Sequence, residues 1–190
     1  MMAAYWSNLL MVTSVVVYLL ALAAFALEWA AARRLDPVEA PAAVLVGPEG
    51  SPIESSTAEA GTDAERNTQV RVDMFGRMGL ALVVIGWALH LSGVVARGIA
   101  AQRFPWGNMY EFLLTGTMVI ALVFTILAMT RDLRWMGSFV SAVVLLMLGM
   151  CLVVYTDASQ LMPALKSYWL VIHVLAISVA TGMLMLSGVA

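Results

Sequence analysis

The sequence predicts an all-α integral membrane protein, a helical bundle of five transmembrane helices with its N-terminus outside. Two observations carry the fold class. Hydrophobic residues make up 62% of the 190-residue chain and charged residues only 12%, against roughly 25% charged in ordinary soluble domains. Five uncharged runs also reach the length of about 20 apolar residues that a helix needs to cross the hydrocarbon. A third observation, the distribution of arginines between those runs, sets the orientation. The solvent for most of the chain is therefore the lipid bilayer.

The runs cover residues 7–27, 78–96, 112–130, 135–156 and 167–190. The first resembles the core of a signal peptide, with small residues near Ala24 and Ala26. Nothing basic precedes it and it is long for such a core, so residues 1–30 read as a retained anchor. Residues 31–77 change in composition to Pro, Ala, Glu, Ser and Thr, with Pro37, Pro41, Pro48 and Pro52. Such a stretch buries too little apolar surface to offset its ordering entropy, and positions 36–69 within it read as a flexible cytoplasmic linker. Residues 78–190 form a four-helix membrane portion.

Lysine and arginine stay preferentially in cytoplasmic loops. The first and third loops hold seven of them (Arg33, Arg34, Arg66, Arg71, Arg77, Arg131, Arg134), the second and fourth three (Arg97, Arg103, Lys166). The second loop, 97–111, and the fourth, 157–166, are thus expected to face the outside together. Because the charges are confined to short stretches, no basic face exists for nucleic acid. Cys151 is the only cysteine, which excludes an intrachain disulfide and a CxxC redox motif.

Both histidines sit where a polar ring is costly. His90 lies in the second span, roughly 10 Å from its outer end at 1.5 Å per residue. It shares a helical face with Gly79, Leu82, Gly86, Gly93 and Arg97. The glycines allow close approach of either a neighbouring helix or a flat macrocycle held through the imidazole, and this helix alone leaves both readings open. His173 comes six residues into the fifth span, four after Trp169, so the indole and imidazole share a face. Those two are either an interfacial pair at headgroup level or the wall and ligand of a haem pocket. The second outer loop gathers Phe104, Trp106 and Tyr110 beside Arg97 and Arg103, an arrangement suited to a planar ligand with propionates and equally to an interfacial belt. Asn108 followed three positions later by Glu111 has the spacing of a capping box. Methionines such as Met147 and Met150 read as core filler, and no metalloprotease, phosphate-loop or Ser/His/Asp pattern is present.

Two stretches carry a resemblance: Pro105-Trp106-Gly107-Asn108-Met109-Tyr110-Glu111 and Pro163-Ala164-Leu165-Lys166-Ser167-Tyr168-Trp169-Leu170-Val171-Ile172-His173-Val174. They resemble the ResC/CcsA family of c-type cytochrome biogenesis proteins, the system II haem lyases of the bacterial plasma membrane. Phe75-Gly76-Arg77-Met78-Gly79 and Trp87-Ala88-Leu89-His90 are similar to its actinobacterial, CcsB-like members. The resemblance implies that, with a ResB-type subunit, the protein presents haem b at the outer face for thioether attachment to the CxxCH thiols of apocytochrome c. A thioredoxin-like protein would keep those thiols reduced. By position His90 matches the family's intramembrane haem histidine and His173 the first of two external haem ligands. Trp106, Trp169, Arg97 and Arg103 would complete the cofactor-binding set. The family's tryptophan-rich segment and second external histidine are not in this sequence, so thioether formation by this chain alone is not expected. The competing readings are a b-type haem electron-transfer subunit, with His90 and His173 on one haem, and a membrane scaffold without cofactor.

Overall fold

A computed structural model describes residues 2–33, 57–131, 133–156 and 167–189, with side chains of 57–64 and 189 left aside. The described residues form five α-helices and no strand: α1 Met2–Ala32, α2 Thr57–Ala101, α3 Met109–Thr130, α4 Gly137–Val153 and α5 Tyr168–Val189. A single 3-10 turn, Arg134–Met136, leads into α4. All five helices are long and apolar enough to cross a membrane, so the chain is a multi-pass helical bundle as its composition predicts.

The second helix begins earlier than the apolar run alone indicates. The reading of 36–69 as a flexible linker is corrected from Thr57 onward, where the chain is already helical, while residues 34–56 lie outside the described residues. The physical reason is that residues 57–77 hold no proline, and ten of these 21 positions are Ala, Glu, Arg, Gln or Met. These are good helix formers, and extending an existing helix needs no new nucleus.

α1 and α2 pack as an antiparallel pair through a repeat of seven on each side. Gly79, Gly86 and Gly93 of α2 face Phe25, Tyr18 and Met11 of α1 in that order. A Cβ added to Gly79 would stand 2.8 Å from the Phe25 ring, and one on Gly86 3.2 Å from the Tyr18 ring. Each missing side chain is thus the space into which an α1 side chain fits, the usual device of helix packing where lipid supplies no hydrophobic drive. The Ser7 hydroxyl adds a hydrogen bond to the Gly93 carbonyl at 2.9 Å. On the far side of Phe25, Gly137 at the start of α4 closes over the same ring.

α3 lies at the centre, against α2, α4 and α5. α5 is peripheral and meets α3 along one stripe of every fourth residue, Val174, Ser178, Gly182 and Leu186, with Gly182 close to the Ile120 backbone. Its remaining faces are exposed.

Candidate functional site

The residues singled out by chemistry gather at one end of the bundle, where α2 and α4 end and α3 and α5 begin. α2 stops in a Schellman turn. Gln102 takes a left-handed conformation, φ 54°. The Arg103 amide then donates to the Gly98 carbonyl at 3.2 Å and the Gln102 amide to that of Ile99 at 3.3 Å. This reversal sends residues 103–108 back over the end of the bundle.

α3 then starts at Met109 with Asn108 as its cap, the Asn108 side-chain oxygen accepting from the Glu111 amide at 2.8 Å. That half of the predicted capping box is present. The other half is displaced: the Glu111 carboxylate accepts from the Gly107 amide at 2.8 Å, one residue before the cap.

The remaining capacity of Glu111 goes to the two arginines. Arg97 Nε stands 3.3 Å from Oε1, and Arg103 Nη1 2.7 Å from Oε2. Arg97 also donates to the Thr156 carbonyl just beyond α4, and its guanidinium lies over Tyr110 and Tyr155 at 5.0 and 5.7 Å from their centroids. Its side chain is 1% exposed. Both arginines that the sequence sets beside a planar ligand's propionates are paired with Glu111. Arg97 ties α2, α3 and α4 together at their ends, because a guanidinium buried at this depth must be paired within the protein. Arg103 pairs with the same carboxylate while also bordering the neighbouring cleft.

That cleft, about 680 Å³, is bounded by the end of α2, the turn after it, α3 and the first turns of α5. Its lining is mostly apolar. Phe104 and Trp106 form a flat wall, stacked at 5.3 Å with their planes 10° apart. Val94, Met118, Val171 and Leu175 also line the cleft. The volume falls within the range of small-molecule and cofactor sites. The Trp106 indole nitrogen is buried without a hydrogen-bond partner among the described residues.

His90 lies just beneath. Val94 on the cleft wall is one helical turn above it, and Thr115 on the same wall follows Leu114, whose carbonyl is 3.1 Å from His90 Nε2. The ring is fully buried and stands edge-on to Tyr18 at 6.2 Å. Nδ1 has no partner among the described residues, nor has the Tyr18 hydroxyl. No group of three metal-ligating side chains occurs among the described residues.

His173 and Trp169 are elsewhere. Both are exposed, Trp169 to 78%, and both point away from the α3 stripe. Val171 and Leu175, which line the cleft, are each two positions from His173, nearly opposite it around the helix. The structure therefore brings Trp106 and Arg103 to a cleft above His90 and leaves His173 and Trp169 on an open face. Residues 157–166, including the Pro163-to-Lys166 part of the second stretch, lie outside the described residues.

No family model, curated protein or solved structure matches this chain. Its function is therefore read from the site and from the two quoted stretches. Sequence reasoning gave Glu111 only a capping role, and the signal for its second role was there: it is the sole carboxylate between 97 and 130, beside two arginines. Tyr18 carried no comparable signal, because its neighbours are set by the α1–α2 register.

Proposed function

We propose that this chain handles haem b as a subunit of a ResC/CcsA-type cytochrome c synthetase, with its N-terminus and the Trp106 loop on the outer side of a bacterial plasma membrane. The observation that carries the reading is the buried, unpartnered Nδ1 of His90 one helical turn below an apolar cleft walled by stacked Phe104 and Trp106. Buried polar atoms are nearly always satisfied. One left open beside a flat apolar slot suits a ligand that brings its own acceptor of a nitrogen lone pair, such as haem iron.

In this reading the protein's part is holding and orienting, and the substrates supply the reactive groups. His90 holds haem in transit. Phe104 and Trp106 support the macrocycle face at the outer end, and Arg103 borders the same cleft. His173, with Trp169 beside it, offers an imidazole on an exposed face, where the CxxCH thiols of apocytochrome c and a ResB-type subunit can approach. Positioning vinyl and thiol groups together is the main catalytic device. Separation of an enclosed His90 from an exposed His173 favours two haem positions over the shared haem of an electron-transfer subunit.

Optical spectra of the purified chain, co-expressed with a ResB-type partner, test this. The expected result is a haem spectrum that His90→Ala and His173→Ala each reduce in part, with additive loss in the double variant. Complete loss in either single variant would assign one shared haem, and a colourless wild-type chain would overturn both haem readings.

A further inference from the structure

At the end of the bundle opposite the Trp106 loop, Arg77 of α2 and Arg131 and Arg134 beyond α3 surround a second cleft of about 630 Å³. Its floor is apolar and includes Leu80 and Val84 of α2 and Met129 of α3. Arg77 and Arg131 are exposed, and neither takes part in an ion pair among the described residues. The two kinds of surface continue into each other: from Arg77 the α2 face runs through Leu80 to Val84, into the membrane-spanning segment.

A ligand that matches both parts needs a negatively charged, oxygen-rich head and an apolar tail. Guanidinium forks suit phosphate oxygens geometrically as well as by charge. A soluble phosphate would leave Leu80, Val84 and Met129 uncovered, and a zwitterionic lipid would bring a cation into the arginine cluster. We propose that this cleft binds one anionic phospholipid, with the headgroup phosphate between Arg77 and Arg131 and an acyl chain along Leu80, Val84 and Met129. The site anchors the α2–α3 end of the bundle to the charged leaflet. It depends on neither the haem reading nor the membrane orientation.

The test is native mass spectrometry of the full chain in dodecylmaltoside with equimolar dioleoylphosphatidylglycerol and dioleoylphosphatidylcholine. One phosphatidylglycerol should be retained on the order of tenfold over phosphatidylcholine. The preference should vanish in the Arg77→Gln/Arg131→Gln variant and persist in Arg66→Gln/Arg71→Gln, which removes two exposed arginines of α2 outside the cleft. Equal retention of both lipids, or equal loss in both variants, overturns the proposal. Displacement of the lipid by millimolar inorganic phosphate would instead assign the cleft to a free anion. A second measurement needs no variant: phosphatidylglycerol carrying a photoreactive acyl chain, in nanodiscs with the wild-type protein, should label positions 80–84 and 129. Labelling scattered over all lipid-facing positions overturns the proposal.

Discussion

Arg97 and Glu111 form an ion pair sealed inside the bundle, Nε 3.3 Å from Oε1, with side chains 1% and 0% exposed. Removing one partner from such a pair leaves an uncompensated buried charge, which costs about 3–5 kcal/mol. Glu111→Gln is therefore expected to destabilise the bundle strongly, read as a shift in the unfolding transition in mixed detergent micelles. Arg103→Gln should cost less, about 1.5–3 kcal/mol, because the two charge-assisted bonds it removes leave a carboxylate that Arg97 still neutralises. Equal losses would contradict the central role given to Glu111.

The glycine contacts make opposite predictions at two positions. Gly79→Ala places a methyl group 2.8 Å from a Phe25 ring that Gly137 also confines. It should cost about 1–3 kcal/mol by overpacking. Gly149 of α4 has nothing within 4 Å of an added Cβ. Gly149→Ala should leave stability unchanged or raise it by about 0.5–1 kcal/mol through helix propensity. Thermal melts followed by circular dichroism separate the two.

The turn that ends α2 stores a small strain at Gln102, a residue with a side chain at φ 54°. Gln102→Val should destabilise by about 1–2 kcal/mol, since a β-branched residue resists the left-handed region. Gln102→Gly relieves the strain but forfeits the side-chain bond to the Ile99 carbonyl at 2.9 Å. Its stability should stay within about 1 kcal/mol of wild type, a bound that the same melts check.

The two histidines and the cysteine should differ in chemical reach. Diethylpyrocarbonate is expected to modify exposed His173 at least about tenfold faster than buried His90, whose reaction must wait for local opening. Peptide mapping of partially modified protein gives the ratio. Buried Cys151 should resist N-ethylmaleimide until the bundle unfolds, which makes it an internal probe for the other experiments.

Much of the site was legible from spacing. The face shared by Gly79, Gly86, His90, Gly93 and Arg97 is the inward face of α2, and Asn108 caps α3 as its distance from Glu111 suggests. The occupants of that face were not legible. A glycine repeat accepts a helix or a flat ligand equally well, and here Phe25, Tyr18 and Met11 take the space, while the His90 ring keeps a nitrogen without a partner among the described residues. The two arginines likewise read as ligand-binding groups until their distances to Glu111 and to the Thr156 carbonyl are known.

By itself the sequence determined that five helices cross a membrane, because the cost of unsatisfied backbone in lipid leaves an apolar run of that length no other spanning form. It also singled out His90 and His173, because the chain holds just two histidines and places both within apolar runs. The tertiary structure alone decided which of them meet. The α1–α2 register sets Tyr18 against His90, the left-handed turn at Gln102 folds Arg103 onto Glu111, and the single stripe by which α5 holds α3 turns His173 outward. Those choices rest on contacts between different helices and across the turn that joins two of them, where helical periodicity gives a direction for each side chain but no partner.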